Sequence, residues 1–264
     1  MNDQNNSNIL YNEQFPLSNK YDPMWIIYNA MGPNPLWLTE WLTPFFDLKP
    51  GMRVLDLGCG KGITSVFLAR EFGVQVYAVD FDEWAGLTSP EMRWDNAKEY
   101  GVEDLVIPVK ADARKLPFAK GFFDAVICVD AYIYFGQDDS YLENILYFLR
   151  PGGKIGMVVP GFMNEVSNGV PNYLAEFLGD ELWTWKSLPW WKNHWEKTNL
   201  VSINVADKPK NGFALWFRWE EIVLSSGKYD SDPKKFELYT KELENFRTDN
   251  GEYMGQIRLI ATKK

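Results

Sequence analysis

The chain lacks several features that mark common classes of protein. Among 264 residues it has only two cysteines, Cys59 and Cys128, and a single histidine, His194. Two cysteines so far apart in sequence indicate neither a disulfide framework nor a zinc site. We therefore expect no bound metal and a reducing compartment, the cytoplasm. No apolar run approaches the roughly 20 residues of a membrane span, and the first residues lack the basic and apolar regions of a signal peptide.

Positive charge is also scarce. Lys and Arg number 27 against 36 Asp and Glu, a net charge of −9, and no run of basic residues is present. Such an acidic chain repels phosphate backbones and anionic lipid, so neither nucleic acid nor a membrane is an expected partner. The sequence indicates no oligomeric state. What it has in excess is aromatic residues, at 16%, which suit pockets as well as cores.

Short apolar segments alternate with helical patterns through the middle of the chain. Five segments predict strands, at residues 52–57, 74–80, 105–110, 122–129 and 154–159. Later segments at 200–205 and 255–262 bring the number of strands to seven. Because parallel neighbours need helical crossovers, the pattern predicts a doubly wound, mostly parallel α/β sheet. Residues 22–46 add an N-terminal helical segment that Pro33 and Pro35 divide into two helices.

The same pattern divides the chain into regions. Residues 1–20 are polar and Asn-rich and predict a flexible N-terminal arm. Residues 21–264 form a single predicted domain with a ligand-binding core at about 47–160. Residues 161–197 have little strand pattern but contain five tryptophans. They predict an aromatic-rich helical insertion, packed as a lid over the ligand edge of the sheet.

A glycine-rich loop follows the first predicted strand, with the sequence DLGCGKG from Asp56 to Gly62. Glycines let a ligand approach the backbone, and the helix that follows offers free N–H groups. The spacing differs from the G-x-G-x-x-G loop that holds a dinucleotide pyrophosphate, which argues against an NAD-dependent dehydrogenase. An acid at the end of the strand favours instead a ligand with a cationic amine.

Carboxylates follow four successive strands, at Asp56, Asp80, Asp112 and Asp130. The carboxyl ends of parallel strands meet at one edge of a sheet, where open α/β folds bind ligands. Asp80 stands where an acid accepts hydrogen bonds from a ribose diol, and Asp112 where an adenine amino group needs an acceptor. Together the four acids predict a site for a ribose, an adenine and an amino-acid tail.

Between residues 52 and 159 the chain resembles the class I, Rossmann-like S-adenosylmethionine-dependent methyltransferases. The similar segments are, in order, VLDLGCGKG, AVD, ADARKLPF, FFDAVICVDAYIYF and LRPGGKIGMVV. The flanking segments are similar to a bacterial subfamily of small-molecule methyltransferases. The resemblance and the strand-end positions imply a cofactor-binding set of Asp56, Gly58, Gly60, Asp80, Phe81, Asp112, Ala113 and Asp130. In this family the two glycines approach the methionine part, and the first acid lies near its ammonium group.

The resemblance implies transfer of a methyl group to a small molecule by in-line displacement, with S-adenosylhomocysteine as product. Since the sulfonium is already activated, the protein mainly aligns the reactants and excludes water. The acceptor atom (N, O, S or C) and the need for a base stay open. Candidate catalytic residues are His194 and Tyr134, and the candidate substrate pocket contains Tyr132, Tyr134 and Trp191. The tryptophans of the insertion either form an amine-binding cage or the core of the lid.

Two alternatives share the cofactor. One is a cyclopropane-forming or lipid methyltransferase, which the net charge of −9 disfavours. The other is a non-catalytic sensor that binds S-adenosylmethionine and uses the aromatic region as a partner surface.

Overall fold

The computed structural model describes residues 9–82, 86–166 and 169–264, and its strands and helices alternate as predicted. The strands are β1 (Arg53–Leu57), β2 (Gln75–Asp80), β3 (Val106–Lys110), β4 (Phe123–Val129), β5 (Leu149–Phe162), β6 (Val201–Asp207) and β7 (Met254–Lys263). The α-helices are α1 (Pro23–Asn29), α2 (Pro35–Leu42), α3 (Ile63–Phe72), α4 (Pro90–Glu99), α5 (Tyr141–Phe148), α6 (Asn172–Leu178), α7 (Leu188–Glu196), α8 (Gly212–Ser225) and α9 (Pro233–Asp249).

These strands form one seven-stranded sheet in the order β3-β2-β1-β4-β5-β7-β6. Strands β1 to β5 pair in parallel, and β7 runs antiparallel to both β5 and β6. The predicted doubly wound, mostly parallel fold is therefore confirmed. The strand order reverses between β1 and β4, and ligands of such sheets bind outside the carboxyl ends of the strands at that point.

Local sequence explains where the helices begin. Ser89 caps α4 by accepting a hydrogen bond from the Met92 N–H, and Pro90 occupies the first helical position, where its missing N–H costs nothing. Asn34 caps α2 in the same way, also followed by proline. Of the two prolines that divide the N-terminal region, Pro35 starts α2, and Pro33 lies in the turn between α1 and α2.

The predicted N-terminal arm differs from the structure in its second half. Leu10 and Phe15 are buried in the core. The Glu40 carboxylate accepts hydrogen bonds from the N–H of Leu17 at 2.8 Å, and from the N–H and hydroxyl of Ser18 at 2.7 Å each. Residues 9–20 are therefore docked on the domain, because apolar side chains interrupt the polar sequence. Residues 1–8 of the predicted arm lie outside the described residues.

The region predicted as a lid, residues 161–197, divides into two parts. Strand β5 continues to Phe162, and α7 packs on β6 and β7 as a crossover helix of the sheet. Within α7, Trp191 and Trp195 are fully buried in the core. Among the described residues of this region, Phe177 and Leu178 of α6, Glu181 of the 3-10 turn Gly179–Thr184 and Trp185 just after it border the ligand edge. Trp191 and Trp195 belong to the core rather than to a lid because their i, i+4 spacing places both rings on the helix face that covers the sheet.

Candidate active site

A cavity of about 600 Å³ opens at the carboxyl ends of the parallel strands; we call it the strand-end cavity. Its lining includes seven of the eight predicted cofactor residues, namely Gly58, Gly60, Asp80, Phe81, Asp112, Ala113 and Asp130. Residues 29–33, from the end of α1 to the turn before α2, also line this cavity. The topology therefore brings these separate strand ends to one site.

The glycine loop after β1 lies close to the neighbouring strand ends. Gly58 and Gly60 have φ values of +74° and +54°, which favour glycine. A Cβ added at Gly58 would overlap the side chain of Ala131, just beyond β4. The Gly60 N–H donates to Oδ2 of Asp80 at 2.8 Å, which ties the loop to the acid at the end of β2.

Two side chains from α4 donate hydrogen bonds to backbone carbonyl groups of this loop. The fully buried Arg93 guanidinium donates to both carboxylate oxygens of Asp82 at 2.7 Å and to the carbonyl oxygen of Gly60 at 3.2 Å. Asn96 donates from Nδ2 to the carbonyl oxygen of Lys61 at 2.9 Å. The sequence prediction missed both residues. Nothing in the polar sequence of α4 distinguishes a buried arginine from a solvent-exposed one.

Asp56 is the one member of the predicted cofactor set that does not line the cavity. Its carboxylate is buried under the loop and accepts a hydrogen bond from the Ser65 hydroxyl at 2.6 Å. Burial raises the pKa of Asp56 to about 7, and the Ser65 hydrogen bond opposes that rise. Any role of Asp56 towards a ligand ammonium group stays a prediction.

A second cavity of about 250 Å³, the aromatic cavity, adjoins the first. Its ring-bearing lining residues are Tyr134, Phe177, Trp185, Trp216, Trp219, Tyr229 and Tyr239. Asp130, Tyr134 and Glu181 line both cavities, so they stand where the two meet. Asp130 has a φ of +64°, a conformation uncommon outside glycine that recurs at functional sites.

Acidic side chains from separate elements face the aromatic cavity: Asp130 after β4, Glu181, Glu220 on α8 and Glu242 on α9. Burial, together with the charges of Glu181 and Glu242, raises the pKa of Asp130 to about 7. Burial likewise raises the pKa values of Glu220 and Glu242. Lys228 lines the same cavity, and burial lowers its pKa to about 8.

The substitution Glu242→Gln is expected to stabilise the protein at alkaline pH. Burial and the Glu181 charge raise the pKa of Glu242 from 4.5 to about 7. Ionisation of Glu242 therefore destabilises the folded protein. The full destabilisation applies above pH 7, and none applies below the ordinary pKa of the group. We expect a gain of on the order of 1–2 kcal/mol at pH 8 and a vanishing gain near pH 4.5, measured by urea unfolding at both pH values. Glu244→Gln, at an exposed position of α9, is the control. Equal effects at the two pH values would contradict the expectation.

The candidate catalytic residues have different positions. Tyr134 lines both cavities, and its hydroxyl donates to Oε2 of Glu181 at 3.4 Å. His194 lines neither; its Nε2 lies 3.1 Å from the carbonyl oxygen of Gly136, and its ring stacks on Trp190. Burial lowers the pKa of His194. A histidine held in this way is a packed side chain of α7 rather than a group facing the ligand cavities.

The other candidate pocket residues also lie in the core. Tyr132 and Trp191 are fully buried, with ring centroids 5.6 Å apart, and neither lines a cavity. The tryptophans that line the aromatic cavity are instead Trp185 and, on α8, Trp216 and Trp219. The sequence prediction missed α8. Its signal was the spacing of Trp216, Trp219 and Val223 on one helical face, which the apolar residues on the other faces of α8 obscure.

The described residues hold neither a metal-binding cluster nor a membrane-spanning helix. No group of three or more His, Cys, Asp or Glu side chains there is arranged to hold a metal ion. None of the described helices has the length and apolar character needed to cross a bilayer.

Residues 54–153 match the family model described as a methyltransferase domain. Methyltransferase GfsG of Streptomyces halstedii is 32% identical over 136 residues, covering 50% of this chain and 48% of that protein. The chain spans about half the length, or less, of the first curated relatives it matches.

Two solved structures share the fold at lower identity. Phosphoethanolamine N-methyltransferase 2 of Haemonchus contortus, in complex with S-adenosyl-L-methionine, superposes with a TM-score of 0.73 and 20% identity, covering 97% of this chain and 59% of that chain. The [4+2]-cyclase SpnF superposes with a TM-score of 0.68 and 20% identity, covering 85% of this chain and 79% of that chain. The fold therefore occurs with more than one reaction.

The seven-stranded sheet, its glycine loop and its strand-end acids define the class I, Rossmann-like α/β fold. The match of residues 54–153 to the methyltransferase domain model, together with the similar methyltransferase GfsG, supports the class I S-adenosylmethionine-dependent methyltransferase family. The family predicted from the sequence motifs is thus confirmed.

Proposed function

We propose that the protein binds S-adenosylmethionine and transfers its methyl group to a small molecule, releasing S-adenosylhomocysteine. The observation that carries the proposal is the strand-end cavity, bounded by the glycine loop and by Asp80, Asp112 and Asp130. Hydrogen-bond acceptors at three strand ends and an open loop backbone suit a nucleoside that carries an amino-acid tail.

The residues present fit this cofactor. One carboxylate oxygen of Asp80 accepts a hydrogen bond from the Gly60 N–H, and the other accepts a weak one from the Asp82 N–H at 3.3 Å, its one donor among the described residues. This leaves acceptor capacity for a ribose diol. Phe81 and Leu87 are large apolar side chains of the cavity lining that are nearly half exposed. An adenine ring placed between Asp112 and Phe81 would cover part of this apolar surface.

The two adjoining cavities suit a direct displacement. S-adenosylmethionine, when bound, supplies a methyl group on an activated sulfonium. The chain's own contribution is to align an acceptor in the aromatic cavity with that methyl group and to exclude water. Asp130, Tyr134 and Glu181 stand at the junction where transfer would occur. At about 250 Å³, the aromatic cavity is below the range typical of drug-sized ligands, which favours a small acceptor.

The substitution Asp80→Ala tests the proposed cofactor site. It removes the acceptor for the ribose hydroxyls and releases the Gly60 N–H, so we expect affinity for S-adenosylmethionine to fall about 10- to 100-fold. Calorimetric titration measures the change. Asp104→Ala, at an exposed acid before β3, should leave the affinity unaltered. Unchanged binding by the Asp80 variant would contradict the proposed position of the ribose beside Asp80, and with it the proposed orientation of the cofactor.

We also propose the cytoplasm as the setting and no nucleic-acid partner. Both cysteines are buried free thiols, which fits a reducing compartment. The net charge of −9 opposes binding to phosphate backbones.

A further inference from the structure

The wall of the aromatic cavity carries an excess of acidic side chains. The lining includes four carboxylates, Asp130, Glu181, Glu220 and Glu242, against one basic side chain among the described residues, Lys228. The acids come from different elements and converge only through the fold. Buried carboxylates are normally paired with a cation or saturated with hydrogen bonds, so the pairing of these groups decides what the cavity accepts.

Two of the four carboxylates have no hydrogen-bond donor within the described part of the protein, whereas Glu181 accepts from the Tyr134 hydroxyl at 3.4 Å. Glu220 accepts one hydrogen bond, from Nε1 of Trp216 at 2.9 Å, whereas the carboxylates of Asp130 and Glu242 accept none there. Lys228 directs its ammonium group to the carbonyl oxygen of Ala30 at 3.1 Å. Only 7% of the Glu220 surface is exposed, so solvent does little to stabilise its carboxylate. The cavity therefore has acidic groups with unused acceptor capacity.

Aromatic faces complete the cavity wall and are held in place. Trp219 donates from Nε1 to the carbonyl oxygen of Gly32 at 3.0 Å, and Trp216 is fixed by its bond to Glu220. Trp185 stacks on Trp216 with a centroid separation of 6.2 Å. Fixed indole rings beside carboxylates attract an organic cation through both cation–π and Coulomb interactions.

We propose that the methyl acceptor is a small organic amine, which enters the aromatic cavity as an ammonium ion. Its charge faces Glu220 and Glu242, and its carbon skeleton packs on the indole rings. This inference rests on the proposed methyltransferase function and adds its substrate class. An alcohol or a carboxylic acid of the same shape would leave the buried carboxylates uncompensated or would repel them.

The junction residue Asp130 gives the amine a route to its reactive form. The Asp130 carboxylate accepts one proton from the ammonium group, which leaves a lone pair on nitrogen. The nitrogen–carbon bond forms as the carbon–sulfur bond of S-adenosylmethionine breaks, and that bonding pair stays on sulfur. The products are the methylated ammonium ion and neutral S-adenosylhomocysteine, and the proton on Asp130 passes to solvent. A carboxyl group with a pKa near 7 is suited to this exchange at neutral pH.

The experiment measures the binding of matched amines and alcohols to the full-length protein saturated with S-adenosylhomocysteine. The pairs are benzylamine with benzyl alcohol, phenethylamine with 2-phenylethanol, and butylamine with butanol; 3-phenylpropanoate serves as an anion. Quenching of tryptophan fluorescence reports binding, because three indoles line the cavity. We expect at least one amine to bind about 10-fold or more tightly than its alcohol, and the anion to bind most weakly.

Two variants link the preference to the cavity. Glu220→Gln combined with Glu242→Gln should remove the advantage of the amine over its alcohol, and Glu244→Gln should preserve it. The inference is overturned if every amine binds no better than its alcohol, or if the double variant keeps the full preference. A parallel titration with S-adenosylhomocysteine distinguishes failure of the proposed function from failure of the proposed substrate class. If this molecule fails to bind, the proposed function fails; if it binds and no amine is preferred, only the substrate class fails.

Discussion

Replacement of Arg93 by methionine is expected to lower the free energy of unfolding by about 3–5 kcal/mol. Arg93 forms a bidentate ion pair with Asp82 at 2.7 Å, and both side chains are almost fully buried. Methionine fills much of the same space but leaves the Asp82 carboxylate buried without its partner. Because Arg93 also donates to the carbonyl oxygen of Gly60, the variant should bind S-adenosylmethionine more weakly as well.

Two further variants make this prediction specific. Arg150→Met breaks an ion pair with Asp124 in which the arginine side chain is 55% exposed, so it should cost less than about 1 kcal/mol. Adding Asp82→Asn to Arg93→Met removes the unpaired charge and should recover part of the lost stability. Chemical denaturation measures all three. A loss near that of Arg150→Met would show that the buried pair contributes little to the fold.

The second large effect concerns Gly58. The substitution Gly58→Ala should weaken the binding of S-adenosylmethionine at least about 100-fold, since the added methyl group overlaps Ala131 and displaces the loop from its position at the cavity. The positive φ of +74° adds about 1 kcal/mol of strain.

Gly51→Ala is the matched control for this effect. Gly51 has a φ of +84°, and a Cβ there meets nothing within 4 Å. It should therefore suffer the same strain and lose stability by a similar amount, while its affinity for the cofactor stays unaltered. If the two variants bind equally well in calorimetric titrations, the shape of the loop is not what Gly58 contributes to the site.

The strand-end cavity could be predicted from sequence because two local rules generate it. Parallel strands end at one edge, and Asp80, Asp112 and Asp130 each follow a recognisable apolar segment. The glycine spacing adds the loop. Asp56 shows the limit of these rules, because its position at the strand end does not determine whether the carboxylate faces the cavity or Ser65 below it.

The aromatic cavity could not be predicted in the same way. Glu220, Glu242 and Trp185 are distant in sequence and belong to different segments after β5, so no local pattern relates them. The sequence favours Trp191 as a pocket residue as much as Trp216, yet Trp191 is buried against Tyr132. Tertiary packing decides which aromatic ring faces a cavity, and only the assembled sheet fixes that packing.

Calorimetric titration of the purified protein with S-adenosylmethionine, S-adenosylhomocysteine and NAD tests the central claim most directly. We expect saturable binding of the first two with one site per chain and no measurable binding of NAD. The loop spacing and the strand-end acids reject a pyrophosphate and accept an amino-acid tail. Preference for NAD, or failure of both adenosyl ligands to bind, would contradict the assignment of the strand-end cavity as a methyl-donor site.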